Sequence, residues 1–426
     1  MGISREPYRL PSSIYFRRFA CKKTMRLCKP AIWFAPISTV CCNLFVQSEV
    51  LRTTPEPMMP LTDQGHPIIY YPKGKSPREW GQIHGESVRS GIQELAQIRR
   101  ELMLKKNPAL LPELQGLAQE QWEVTKRFAP DLALELEGLT RGANLTLTDI
   151  VILNNYTDFR DIIPEQGCST VAFKRRGQMI AGQTWDMHRT AKNYICTLVI
   201  PETAVSPGQI VFSLVGCLGL MGVGQHGLFI GVNNINTRGA RAGVMWPALV
   251  RRSLQCPNFE QMSDIVTTAP VTSGHNYLLA DTQTAQHWEI TPDVKEMVSG
   301  ISTDQSDGTI FHTNHCLSPK TKRLEDESSL SSTTFSRWDL LQTHLSKAET
   351  SSGLYGILTS HENHPKGICS HFESGLQDPS FTCGGGVYDF RSKIFTVWRG
   401  CPIHDENYVH YDFDMSTLAL LKTIKR

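Results

Sequence analysis

Gly167-Cys168-Ser169-Thr170-Val171-Ala172-Phe173 and, a short interval later, Met179-Ile180-Ala181-Gly182-Gln183-Thr184-Trp185-Asp186 form the border on which the reading of this chain turns. Before Gly167 apolar residues recur at the 3.6-residue period of helices. After it they fall at period 2 or in short continuous runs, as strands do. Arg175-Arg176-Gly177-Gln178 between the two runs has hairpin-turn chemistry. A cysteine at such a border reads in two ways. It is an ordinary buried thiol, or it becomes a new N-terminus when the chain is cut before it.

Upstream of the border, Val88, Ile92, Leu95 and Leu102 make one apolar stripe on a helix running from about Glu79 to Asn107-Pro108. A second helix opens after Pro112, with Leu114, Leu117, Val124 and Phe128 facing inward, and Pro130 closes it. A third begins at Pro130-Asp131 and is stopped at Gly138. Thr146-x-x-Asp149 has capping spacing for a fourth, Leu147 to Tyr156. These helices are expected to form a separate cap. Downstream, strands are expected over 194–200, 209–215, 219–223, 228–233, 276–280, 286–291, 296–299, 309–313, 381–389, 393–398 and 408–413. Helices are expected over 245–254, 259–268, 335–345 and 354–360, and a surface loop over 319–333. Strands and helices in separate blocks indicate α+β layers, two facing sheets covered by helices, and not alternating βαβ units.

A chain of 426 residues, 40% hydrophobic and 20% charged, can bury a sizeable core. Its formal charge of +2 is small and dispersed, which argues against a nucleic-acid partner. The twelve cysteines include no CxxC pair, and a chain this long needs no disulfide staples. Reduced thiols and a cytoplasmic location are the expectation. Residues 1–29 carry eight Lys/Arg against one acid, Glu6, and residues 30–48 are uncharged but interrupted by Pro30 and Pro36. That makes a poor membrane span. Residues 1–60 are therefore expected to be a disordered leader, or an overlong start with Met58 or Met59 as the true one. The basic-then-apolar order leaves export open. Residues 61–167 read as a helical pro-region and 168–426 as the catalytic region.

A cysteine heading a mature chain carries its own base, because an α-amino group titrates near about 7.7–8.0 and is partly neutral at pH 7. Before the cut, the same thiol can attack the Gly167 carbonyl and form a thioester that water opens. Gly167 has no Cβ, which permits a strained backbone there. Asp186 ends the second strand of the hairpin, so pairing brings it to the end where Cys168 lies. There its carboxylate can hold the new ammonium; otherwise it caps the strand or binds Arg189. An oxyanion needs neutral donors, and Asn314 and Asn233 stand at expected strand ends, where turn chemistry also favours asparagine.

Other readings compete. His312-x-x-His315-Cys316 and His361-x-x-His364 are metal-ligand types. The first set lies in an expected strand, where positions i and i+3 point to opposite faces, and satisfied or exposed histidines are the commoner case, so no metal is expected. Gly216-x-x-Gly219-x-x-Gly222-x-Gly224 departs from the phosphate-binding pattern and reads as tight turns. Cys383, before Gly384-Gly385-Gly386, is an alternative thiol nucleophile that needs a histidine and no self-cleavage. A two-layer binding protein without catalysis is the reading from a different class.

In order and spacing, four motifs resemble the acyl-CoA:isopenicillin N (6-aminopenicillanic acid) acyltransferase family, peptidase family C45 of the N-terminal-nucleophile hydrolases. They are Cys168-Ser169-Thr170, Gly182-Gln183-Thr184-Trp185-Asp186, Gly231-Val232-Asn233-Asn234-Ile235-Asn236 and His312-Thr313-Asn314-His315-Cys316-Leu317. The resemblance runs from about residue 65 to the C-terminus. It implies a four-layer αββα sandwich and an inactive zymogen that cuts itself between Gly167 and Cys168. It further implies a helical α chain that stays a partner of the catalytic β chain. By this resemblance Cys168 is the nucleophile, Asp186 positions its amino group, Asn314 contributes to the oxyanion hole and Asn233 is a second polar contact. The fungal acyltransferase has an arginine after a late Ile-Cys pair, whereas Ser370 follows Ile368-Cys369 here, which bears on the penicillin-type acceptor. Relatives include hydrolases of β-alanyl amines and bile-salt or penicillin V amidases, all of which open a linear amide. The expected activity is hydrolysis of linear amides of small N-acyl compounds, or acyl transfer to an amine from an amide or acyl thioester. No metal or organic cofactor is expected, with coenzyme A entering only as part of a donor substrate, and no nucleic-acid or membrane partner. Trp185 and Ser370 are candidate substrate contacts.

Overall fold

The computed structural model describes residues 66–156, 158, 167–330, 333–371 and 380–426, so the expectations for the leader lie outside the described residues. The first element is one that periodicity did not reveal. β1 (Ile68–Tyr70) pairs in parallel with a strand beyond Cys168, and three residues are too few for alternation to be read. Five helices follow: α1 (Pro77–Ser87), α2 (Arg89–Lys106), α3 (Leu114–Phe128), α4 (Pro130–Ala143) and α5 (Leu147–Asn155). Capping boxes at Ser76/Glu79 and Thr146/Asp149 open α1 and α5. The first expected helix is two, broken at Val88. The third does not stop at Gly138 but continues to Asn144, which closes it in the left-handed conformation. Gly138 serves packing instead: a Cβ there would lie 2.0 Å from the Arg78 carbonyl oxygen of α1.

Downstream come β2 (Gly167–Arg175), β3 (Gln178–His188), β4 (Ile195–Ile200), β5 (Gln209–Leu214), β6 (Met221–Gly224) and β7 (Leu228–Asn234). Helices α6 (Trp246–Leu254) and α7 (Phe259–Thr268) precede β8 (His275–Ala280), β9 (Ala285–Ile290), β10 (Lys295–Ile301) and β11 (Gly308–His312). Then follow α8 (Pro319–Lys322), α9 (Thr334–His344) and α10 (Ser351–Leu358). The last strands are β12 (Ser380–Asp389), β13 (Ile394–Arg399), β14 (Val409–Asp414) and β15 (Ala419–Lys425). β15 went unread because all seven of its residues are exposed, leaving no alternation; Lys422 and Lys425 guard this edge. Residues 319–330 of the expected surface loop are not merely that, since Glu325 is buried and accepts from the Cys316 amide at 2.5 Å.

One sheet orders its strands β1-β4-β5-β6-β7-β8-β9-β10 and the other β11-β2-β3-β12-β13-β14-β15. Alternation decides what lies between them. Thr170 and Gln183 face inward, where Thr170 bonds Asn233 at 2.5 Å and the Gln183 amide bonds the Val232 carbonyl at 2.7 Å. Val171, Phe173 and Ile180 face outward and pack with Leu341, Leu354 and Leu358 of α9 and α10. The first sheet is covered by α6, α7 and the upstream helices, giving the expected four-layer αββα sandwich. Those upstream helices are not a separate cap. Ile92, Leu136 and Leu153 share one core with Leu214 and Leu249, and buried Arg251 of α6 pairs with buried Glu135 of α4 at 3.1 Å. Among the described residues no helix is long and apolar enough to cross a membrane, and all eight cysteines are free and buried.

Candidate active site

The β2–β3 register sets Gly167 opposite Asp186 and Cys168 opposite Trp185. Arg176 and Gly177 make the turn possible, both with positive φ (50° and 75°), the conformation that a two-residue hairpin loop requires. Gly167 lies in ordinary extended strand, so backbone strain does not explain it. Close approach does. A Cβ on Gly167 would stand 2.4 Å from Asp186 Oδ2 and 3.2 Å from Arg337 Nη2.

Each polar atom of Cys168's backbone is engaged. Its N–H donates to Asn314 Oδ1 at 2.8 Å, and its carbonyl accepts from Asn233 Nδ2 at 3.0 Å and Arg337 Nη1 at 2.6 Å. Arg337 Nη2 also donates to Asn314 Oδ1 at 2.8 Å. Both groups facing that oxygen are donors only, so the orientation of the Asn314 amide is determined. Its Nδ2 donates to the Asn234 carbonyl at 2.9 Å. Asn314 therefore accepts at Cys168, which differs from the oxyanion donor expected of it. Asn233 does present its nitrogen, and its oxygen is held by Thr170 and by Asn276 at 2.7 Å.

Asp186 is buried. Oδ1 accepts from Thr382 Oγ1 at 2.8 Å, whereas Oδ2, the oxygen beside Gly167, has no hydrogen-bond partner among the described residues. Burial pushes the carboxyl up to about 6, with the Arg337 charge and the Thr382 bond pulling the other way. The Cys168 thiol is pushed up to about 12, by burial first and then by the Asp186 charge. Burial thus raises both groups, the thiol further than the carboxyl.

Arg337 was not legible in the sequence. It lies on α9, far from any motif, and only an arginine at the first turn of an expected helix marked it. Trp185 is a core residue, packed edge-on against Phe212 at 6.2 Å, and is not placed as an open substrate contact. Ser370 is fully buried; its N–H donates to Thr382 Oγ1 at 2.7 Å, two bonds from Asp186. Cys383 sits in mid-β12 with its thiol on the carbonyls of Phe381 (3.3 Å) and His188 (3.9 Å). His312 Nε2 is held by Glu289 at 2.9 Å and His315 Nδ1 lies 3.1 Å from Thr313 Oγ1.

The profile of the acyl-coenzyme A:6-aminopenicillanic acid acyl-transferase family matches residues 173–393, more than half of the chain. Over 353 residues the chain is 26% identical to the acyl-coenzyme A:6-aminopenicillanic-acid-acyltransferase 40 kDa form of Emericella nidulans, spanning 82% of this chain and 97% of that protein. Among solved structures, an ortholog of N-acylethanolamine-hydrolyzing acid amidase from Caenorhabditis elegans superposes with a TM-score of 0.38 at 12% identity, covering 52% of this chain and 92% of that one. Penicillin V acylase from Agrobacterium tumefaciens gives 0.32 at 12%, covering 58% and 86%. Likenesses this weak add nothing to the family match.

Proposed function

This chain belongs to the acyl-coenzyme A:6-aminopenicillanic acid acyltransferase family, and from that premise we propose that it cuts itself before Cys168 and then uses the freed cysteine to open amides of small N-acyl compounds. The observation that carries this reading is the clamp on Cys168: its amide on Asn314, its carbonyl on Asn233 and Arg337, and an unpartnered Asp186 oxygen against Gly167.

In the first step Cys168 Sγ adds to the Gly167 carbonyl carbon. The Gly167–Cys168 C–N bond breaks, the Cys168 nitrogen keeps the thiol proton, and a thioester remains. Water opens it, releasing the Gly167 carboxylate and leaving a free thiol and amine on Cys168. Asp186 Oδ2 then has an ammonium to hold. The oxyanion role of Asn314 requires its amide to turn over after the cut. In turnover the amine takes the thiol proton as Sγ attacks the substrate carbonyl, and passes it to the departing amine. Water or a second amine receives the acyl group. Hydrolysis is the first reading, because water is always available and, by the resemblance, Ser370 replaces a residue associated with the fungal reaction. Transfer to an amine is the second, favoured by the activity named for the Emericella nidulans relative.

Intact mass and N-terminal sequencing of the purified chain test it. A fragment beginning at Cys168 is expected, and Cys168→Ala is expected to remain one chain with no turnover. Wild-type protein that stays whole yet hydrolyses N-acyl amino acids, β-alanyl amines or bile-salt amides would overturn the self-cleavage. Adding an amine acceptor to the same assay separates hydrolysis from transfer.

A further inference from the structure

A second group of reactive side chains lies outside this site. His361, Cys369, His371 and Cys401 come from the loop after α10, the segment leading to β12, and the turn after β13. One ligand-type atom of each falls within 4.8 Å of the other three. His361 Nε2 is 3.1 Å from His371 Nε2 and 3.2 Å from Cys401 Sγ, and His371 Nε2 is 3.4 Å from Cys369 Sγ. A tetrahedral zinc ion with ordinary bond lengths separates its ligands by about 3.3 Å (N to N), about 3.6 Å (N to S) and about 3.8 Å (S to S). The N–N spacing and the two N–S spacings fall within a few tenths of an ångström of these values, and every other pair stays within 4.8 Å.

Two further features distinguish the group from a chance polar contact. Two imidazole nitrogens facing each other share at most one proton between them, an arrangement that a shared cation relieves. The backbone N–H groups of Ile403 and His404 both point at Cys401 Sγ, at 3.3 Å each, as donors do around an anionic sulfur. Cys369 and Cys401 are almost fully buried. His364, paired with His361 in the sequence reading, is exposed, with its ring centroid 6.3 Å from that of His371.

We propose that His361, Cys369, His371 and Cys401 form a closed Cys2His2 site for a divalent zinc-class cation. Four protein ligands leave no open position, so the ion is structural, not catalytic. It ties the turn after β13 to the segment carrying Ser370, whose carbonyl accepts from Thr382 N at 2.9 Å while Thr382 Oγ1 holds Asp186. The site therefore braces the floor under the candidate catalytic aspartate.

The test reads metal directly and does not depend on turnover. Full-length protein produced in zinc-supplemented medium and purified under reducing conditions is expected to carry one zinc per chain by elemental analysis. Cobalt-substituted protein should show tetrahedral d–d bands with a thiolate-to-cobalt charge-transfer band. His371→Ala and Cys401→Ser should each lose the metal, whereas His364→Ala and Cys168→Ala retain it. If the ligand variants do not fold, the cobalt spectrum of the wild type still reports whether two thiolates bind. A chain that takes up neither zinc nor cobalt, a Cys369–Cys401 disulfide in place of metal, or full metal content in folded Cys401→Ser would each overturn the site.

Discussion

Around the Gly167–Cys168 bond, the group most responsive to pH is Asp186, raised by burial to about 6 from the usual 3.8. A carboxyl raised on folding stabilises the fold while protonated, and that contribution is lost as pH climbs from about 4 through about 6. Chemistry runs the other way, because an ammonium is held only by the ionised form. As the Gly167–Cys168 bond breaks, the Cys168 nitrogen gains a proton and an ionised Asp186 favours that charge, so self-cleavage is expected to fade below about pH 6, followed by mass spectrometry over time. The new ammonium should pull the carboxyl down, so the acid limb of turnover ought to lie below that of self-cleavage. Coincident limbs would argue against the pairing, as would undiminished turnover in Asp186→Asn. Arg337→Lys keeps a charge but cannot span Cys168 O and Asn314 Oδ1 together. Self-cleavage in that variant is expected to slow by about 10²–10³-fold with the fold intact. Processing at the wild-type rate would remove Arg337 from the site.

Between elements, the contact of α1 with α4 depends on missing side chains. Gly138→Ala drives a Cβ to 2.0 Å from a backbone oxygen, a position no rotamer can relieve. Overpacking of this kind costs about 1–3 kcal/mol, seen as a lower melting temperature or urea midpoint. Gly116→Ala, on the exposed face of α3 with nothing within 4 Å, should instead gain about 0.5–1 kcal/mol. The opposite signs separate the roles that a helix-breaker reading assigns alike. Helices, hairpin and most strands were legible, because caps, prolines and period act within a few residues. β1 and β15 were not, one for shortness and the other for having no buried face.

Across the whole molecule, the two sides of the proposed cut are joined through the buried pair of Glu135 and Arg251, which Tyr71 also bonds through Glu135 at 2.8 Å. Glu135→Gln leaves a buried guanidinium uncompensated and is expected to cost about 3–5 kcal/mol. Denaturant titration of the cut protein measures it. The same shared core predicts that both pieces co-elute in native size-exclusion chromatography and part only in denaturant. Separation in plain buffer would contradict that coupling.

The sequence by itself determined the layer class, the hairpin, and the placing of Cys168 and Asp186 at one strand end, since register follows from a short turn and alternation. Asn233 and Asn314 were visible as residues, but which amide atom meets Cys168 was decided by Arg337, brought in by α9 from 169 positions away. Of the Cys2His2 group only His361 was singled out in the sequence as a ligand type, and with His364 as the wrong partner, because its ligands are spread over 40 positions. Contacts of that range depend on how layers stack, and no local period encodes them.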